Sequence, residues 1–127
     1  MKNDKTAFII ISTGGKVELQ VTDQNGLLEQ LQAAVDGDVE TGPDMYDRLQ
    51  RVLGTDRPVM LCYDEGLLHG MPRNPMAQAI TGYAPLCGPV AIARVTRTET
   101  GGEDISGWPI SEASRLWRRL FHLAEAM

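Results

Sequence analysis

The chain contains few cysteines and few aromatic residues, and each scarcity excludes a class of protein. Only two cysteines, Cys62 and Cys87, occur among 127 residues, and neither belongs to a Cys-x-x-Cys motif or lies near a histidine in the sequence. A disulfide scaffold and a zinc site are therefore disfavoured, and we expect two buried free thiols in a reducing cytosol. Because aromatic residues make up only 6% of the chain, its core must consist mainly of aliphatic and methionine side chains.

Long apolar runs and excess positive charge are also missing. No segment approaches the roughly 18 apolar residues of a membrane span, and the apolar run near the N-terminus is too short for a signal peptide. We therefore expect a cytoplasmic protein. The net charge of −5 argues against binding to a nucleic-acid backbone, because that affinity comes mainly from Lys and Arg side chains that neutralise phosphates.

The sequence carries no recognisable catalytic constellation. It has no G-x-S-x-G motif and no phosphate-binding P-loop, and neither cysteine has an evident base nearby. The alternating acids Asp36, Asp38 and Glu40 resemble part of a calcium loop, but its sixth position is Thr41 where glycine is required. We expect no catalytic residue, no metal site and no cofactor.

The patterns that are present predict a compact domain of one core. Two apolar runs, residues 7–12 and 16–22, flank Gly14-Gly15, which is a strong signal for a β-hairpin. Further strands are predicted at 59–63 and 89–98, the second covered on both faces because residues 90–93 show no polar alternation. Helices are predicted at 27–35, at 43–54, from Asn74-Pro75, and through 108–127 with Ser111 as its cap, while 98–107 is predicted to be a polar linker.

This order of elements predicts an α+β fold over residues 1–127. The sheet should be small and mostly antiparallel, opened by the N-terminal hairpin, with helices packed largely on one face and an amphipathic C-terminal helix. A 127-residue chain matches the common size of one domain.

The segment after the strand 59–63 carries the first candidate site. Asp64 and Glu65 form an acidic turn, His69 follows, and Asn74 precedes Pro75 as the predicted N-cap of a helix. His69 beside Asp64 or Glu65 is the one pair suited to proton transfer, although a turn and a surface histidine explain these residues more simply. Asn74 has a complete structural role as a cap, with ligand binding as its alternative. We expect the turn and Asn74 to lie together at one edge of the sheet.

The last helix carries the second candidate site. Arg115, Arg118, Arg119 and His122 follow the i, i+3, i+4, i+7 spacing that places residues on one helical stripe, opposite the leucines. A basic stripe of this kind can hold an anion, a nucleic acid or the acidic face of a second copy. A solvated surface near a helix C-terminus, where cations are favoured, explains it equally well.

Four short motifs resemble an uncharacterised family of phages and plasmids, domain of unknown function 3846. They are Leu-Gln-Ala-Ala-Val at 31–35, Tyr-Asp-Glu-Gly at 63–66, Gly-Met-Pro-Arg-Asn-Pro-Met-Ala at 70–77, which includes Arg73, and Cys-Gly-Pro-Val-Ala-Ile at 87–92. The match covers about residues 16–95. The chain departs from the pattern at Asp36, at the helix predicted for 43–54 and in the C-terminal helix. The resemblance implies a small accessory protein of a mobile element and brings no established activity.

Three functions follow as hypotheses. The first is a non-enzymatic accessory protein that binds a host protein or sequesters a small anionic ligand, counteracting host defence. As a homo-oligomer it would form a pocket between segment 64–74 of one subunit and the arginine helix of the other. The second is a nucleic-acid-associated accessory protein that uses the arginine stripe. The third, which the sequence favours least, is a small enzyme whose site includes Asp64, Glu65, His69 and Asn74.

Overall fold

The computed structural model describes residues 5–35, 37, 39–41, 46–63 and 70–127. Within these ranges the helices are α1 (Leu27–Val35), α2 (Tyr46–Leu53), α3 (Pro75–Thr81) and α4 (Ile110–Glu125), with a short 3-10 helix (Gln24–Gly26) before α1. The strands are β1 (Lys5–Ile11), β2 (Val17–Asp23), β3 (Val39–Thr41), β4 (Pro58–Tyr63), β5 (Val90–Arg97) and β6 (Glu103–Ser106). The α+β class predicted from the sequence is confirmed.

The described strands form a single sheet in which every pairing is antiparallel. Their order is β2-β1-β5-β4-β3, and β6 also pairs with β5. The predicted hairpin is β1–β2, and it lies at one end of this order. Among the described residues, the outer side of β2 therefore has no strand neighbour.

Helices cover both faces of the sheet, three on one face and α1 on the other. Leu27, Leu31 and Val35 of α1 pack with Phe8 and Ala91. The opposite core is larger and joins α2, α3 and α4 to the other set of strand residues: Ile9, Ile11, Leu49, Leu53, Met60, Met76, Ile80, Ile92, Leu116 and Leu120. Because residues 90–93 alternate between the two cores, the prediction that β5 is covered on both faces is confirmed.

The segment 98–107, predicted to be a polar linker, contains strand β6. Its sequence is polar and offers only Ile105 as an apolar residue, so no hydrophobic pattern marks it as a strand. It forms because its backbone pairs with the part of β5 that β1 does not reach, from Arg94–Ser106 to Arg97–Glu103. After β6 the chain reverses at Gly107, and Trp108 exchanges two backbone hydrogen bonds with Ala7 of β1, of 3.0 and 2.8 Å.

The start of α4 differs from the sequence prediction, whereas the state of the cysteines largely agrees with it. Helix α4 begins at Ile110 after Pro109, with no side-chain cap, so Ser111 lies inside the helix and is not its cap. Pro109 at the N-cap position offers no side-chain acceptor, but its fixed φ restricts the backbone where the chain enters the first turn. Neither cysteine is in a disulfide; Cys87 is buried, as expected, whereas Cys62 is only half-buried.

Candidate functional site

The structure places part of the first predicted site and leaves the rest open. Asp64, Glu65 and His69 lie outside the described residues, so their roles remain predictions. Strand β4 ends at Tyr63, and its register with β5 (Leu61 opposite Ala91) brings that end close to the start of β5. The Asn74 side chain also bonds there, to the Gly88 carbonyl, so the end of the strand that precedes Asp64 and the start of α3 share one end of the sheet.

Asn74 is a structural residue at the centre of the fold. It is fully buried, and its Oδ1 accepts the Ala77 backbone N–H at 3.1 Å, which confirms the predicted N-cap. Its Nδ2 donates to the carbonyl oxygens of Ile11 and Gly88 at 3.0 and 3.1 Å. Since both amide hydrogens are donated inside the core, the proposal that Asn74 presents its amide to a ligand is not supported. The neighbouring Arg73 is exposed, and its backbone bridges to Cys87.

The arginines of the stripe on α4 differ in their contacts: one bonds to α2, and two have no bond among the described residues. Arg119 donates from Nε to the Val52 carbonyl at 2.6 Å, which satisfies an orphan acceptor in the last turn of α2. Arg115 and Arg118 are exposed and have no ion pair or hydrogen bond within the described ranges. Arg119 is exposed as well, but its Nε is already bonded to α2, so Arg115 and Arg118 are the two arginines of the stripe with no bond among the described residues.

Replacing Arg119 with alanine should lower the free energy of unfolding by about 1 kcal/mol, because it removes a charged donor from the C-terminus of α2. Urea denaturation of the variant measures this loss. Arg115→Ala is the matched control on the same helix, and we expect its unfolding curve to overlay that of the parent protein. Equal stability of the two variants would contradict a capping role for Arg119.

A groove runs between β2 and α4 at the open end of the sheet. It has a volume of about 510 Å³ and is lined by Val17, Glu18, Leu19, Ser114, Trp117 and Arg118; we call it the edge groove. The Trp117 indole links α4 to β2 at this groove, because its Nε1 donates to the Val17 carbonyl at 2.9 Å. The ring of Phe121 supports the indole from the next turn of α4, with the ring centroids 5.3 Å apart.

The backbone along this edge is free to pair with another strand. Ser12 N–H donates to the Lys16 carbonyl at 2.9 Å, and this bond fixes which residues of β2 point their backbone groups at β1. By antiparallel geometry, the backbone groups of Val17, Leu19 and Val21 point outward. Trp117 occupies the Val17 carbonyl, whereas Leu19 and Val21 have no backbone partner on their outer side among the described residues.

The two charged residues that line the edge groove differ in their pairing: Glu18 forms an ion pair, and Arg118 does not. Glu18 pairs with Lys16 at 2.9 Å, and the bond to this carboxylate raises the pKa of Lys16. The odd-numbered residues of β2 share a face with the core beneath α4, so the Glu18 side chain points to the opposite face. Arg118 is the one unpaired charge that lines the groove among the described residues.

The sequence identifies Arg118 but not the groove around it. Periodicity alone places Trp117 on the apolar side of α4, and it places Val17, Leu19 and Val21 on the inner face of a half-buried strand. Only the sheet order reveals that β2 is an edge. The exposure of Val21, with 43% of its surface accessible, is consistent with an edge, but no sequence pattern indicates it.

Within the described ranges, no group of three His, Cys, Asp or Glu side chains is placed to hold a metal ion. Nor does that part of the chain include a helix of sufficient length and apolarity to cross a membrane. The fold and groove define a small α+β protein with an open sheet edge beside an amphipathic helix. The chain belongs to the family described as domain of unknown function (DUF3846), which it matches over residues 5–117.

A comparison with solved structures places the same architecture inside a much larger protein. The crystal structure of the small RNA methyltransferase HEN1 matches with a TM-score of 0.55 at 14% sequence identity. The match covers 91% of this chain and 16% of that chain, so it shows the fold alone. No curated protein matches the sequence significantly.

Proposed function

We propose that this protein is a non-enzymatic binding protein that engages another protein through the edge groove. The observation that carries the proposal is the open backbone of Leu19, which lines the groove together with Trp117 and the unpaired Arg118, and which continues along β2 to Val21. Backbone groups of an exposed strand give affinity for an extended segment, and adjacent side-chain pockets give selectivity. Aromatic and arginine side chains are also those that dominate binding energy at protein interfaces.

The groove defines what such a segment must look like. The backbone of the bound segment would pair with Leu19 and Val21. One of its apolar side chains would pack against the face of β2 beneath α4, and one of its carboxylates would pair with Arg118. The polar face of β2, with Gln20 and Thr22, faces away from α4 and accepts polar residues. In the mobile-element setting that the family resemblance implies, the bound protein is a host protein, and its capture would counteract a host defence.

A small anionic ligand is the narrower form of the same proposal, since Arg118 and Ser114 both line the groove. The nucleic-acid alternative has less support. The Nε of Arg119 is bonded to the Val52 carbonyl, so Arg115 and Arg118 are the arginines of the helix with no bond among the described residues, and the whole chain carries a charge of −5. A phosphate backbone is bound by several neighbouring cations.

Arg118→Glu should weaken capture of the partner protein at least about tenfold, because a charge-assisted pair is replaced by repulsion. The tagged protein and the variant are incubated with host lysate, the partner is identified by mass spectrometry, and its affinity is then measured by calorimetry. Arg115→Glu makes the same charge change outside the groove and should retain full affinity. Equal binding by both variants would show that the partner docks elsewhere.

A further inference from the structure

The requirements of the edge groove can be written as a short sequence pattern. We consider the residues of the incoming strand that face α4. Those opposite Leu19 and Val21 must be apolar, and the one opposite Val17 must be acidic, because Arg118 also lines the groove there. The residues between them face the polar side of the sheet. The pattern is therefore apolar, polar, apolar, polar, acidic, and the acidic residue comes last if the strand runs antiparallel to β2.

The chain itself contains this pattern in β2. Residues 19–23 read Leu-Gln-Val-Thr-Asp, and Asp23 is the acidic residue at the end. Asp23 lies on the same face as Val21, because both alternate with the residues that face α1. Its carboxylate is exposed, with 61% of its side chain accessible, and its one described partner is Lys5 at 3.2 Å.

We infer that the edge groove is occupied by β2 of a second copy of this chain, in a symmetric antiparallel dimer. This inference rests on the proposed function, since it uses the same surface and names a competitor for it. Gln20 would lie on the two-fold axis opposite Gln20 of the second copy. Leu19 then opposes Val21 of the second copy, and Val17 opposes its Asp23, which reaches Arg118.

Neighbouring registers fit less well. Moving the axis to Leu19 places Asp23 of the second copy opposite Gly15, in the hairpin turn and beyond the groove wall. Moving it to Val21 sets that Asp23 against Leu19, where a carboxylate would be buried against an apolar side chain at a cost. The register centred on Gln20 pairs apolar with apolar residues and one carboxylate with one guanidinium on each side.

The dimer has two consequences for the molecule. It covers Val21 and pairs the outward backbone groups of Leu19 and Val21, which as a bare edge would invite uncontrolled strand pairing. It also regulates the proposed function, because a partner strand must displace the second copy before it can dock. Binding of the partner and self-association therefore exclude each other.

Charge exchange tests this dimer without any partner protein. The parent protein should show a mass of twice 13.9 kDa by light scattering. Arg118→Glu and Asp23→Arg should each be monomeric, because each homodimer would contain two like-charged pairs. A mixture of these two variants should dimerise again, because the introduced glutamate then meets the introduced arginine and the two unchanged side chains also form their pair. Circular dichroism confirms that each variant is folded.

Val21→Pro removes one outward N–H without touching a bond to β1, and it should weaken self-association at least about tenfold. Arg115→Glu is the control and should remain dimeric. A parent protein that stays at 13.9 kDa, or a mixture that stays monomeric, overturns the inference.

The two proposals fail separately. Asp23→Arg keeps Trp117 and Arg118, so it should still capture a partner protein although it no longer self-associates. A monomeric parent that captures a partner through Arg118 contradicts only the dimer. A dimer that captures nothing from lysate contradicts only the proposed function.

Discussion

Asn74→Ala should lower the free energy of unfolding by about 3–5 kcal/mol, one of the two largest losses we expect from a single substitution in this protein. The change removes the N-cap of α3, leaves the Ala77 N–H without the oxygen that caps it, and takes one donor away from each of the carbonyls of Ile11 and Gly88. These groups are buried, so water does not replace the three lost bonds, and the uncapped Ala77 N–H carries its own desolvation cost. Urea denaturation, followed by circular dichroism, measures the loss.

Asn25→Ala is the matched control, because Asn25 is an exposed asparagine in the 3-10 helix. Its effect should stay within about 0.5 kcal/mol, as for most surface substitutions. Asn74→Asp separates the two functions of the side chain, since aspartate retains the capping oxygen and loses both donated bonds. A loss for Asn74→Asp as small as that for Asn25→Ala would mean that the two carbonyls do not depend on Asn74.

The aspartate variant also has a predictable pH dependence. Burial beside two carbonyl oxygens should raise the pKa of the carboxyl introduced by Asn74→Asp above its unfolded value, so the folded state binds the proton more tightly. Relative to the parent protein, the variant should then be most stable below the unfolded pKa of about 4, and it should lose stability as the pH rises from there through the higher folded pKa. Parallel denaturation curves at acidic and neutral pH show the difference.

Signals confined to a few neighbouring residues are sufficient to predict many of the elements. Asn74-Pro75 predicts the start of α3, and Gly14-Gly15 between two apolar runs predicts the β1–β2 hairpin, because capping and turn formation depend on adjacent residues. Runs and alternation of apolar residues likewise place β1, β2 and β5. The α+β class follows from the order of these elements.

Features that depend on distant contacts are not predictable in this way. The burial of Asn74 depends on Ile11, which is 63 residues away, and the shape of the edge groove depends on the bond from Trp117 to Val17, 100 residues away. Strand β6 pairs with β5 through its backbone, and Ile105 is its one apolar residue, so its sequence gives no periodic signal. The candidate site contains one feature of each kind. The helical spacing in the sequence predicts that Arg118 belongs to a basic stripe, whereas the open edge beside it is known only from the strand order.

The second large loss of stability is expected at Gly107, in the turn between β6 and α4. The chain passes so close to β1 there that a side chain has no space. A Cβ at Gly107 would lie 2.3 Å from Thr6 Oγ1, 2.8 Å from the Ala7 carbonyl oxygen and 3.0 Å from the Ala7 nitrogen. Two of these atoms are backbone atoms of a central strand that also bonds Trp108. The Thr6 hydroxyl cannot turn away without losing its bond to the Trp108 carbonyl.

Gly107→Ala should therefore destabilise the protein by about 3 kcal/mol, at the upper end of overpacking effects. The double variant Thr6→Ala/Gly107→Ala should recover only part of the loss, because removing the hydroxyl relieves the closest contact and leaves the two to Ala7. Gly14→Ala is the control, since a Cβ there meets only Ser12 Oγ at 3.8 Å. Full recovery in the double variant would show that the strand backbone yields, and that the junction of β1, β6 and α4 is less rigid than its hydrogen bonds imply.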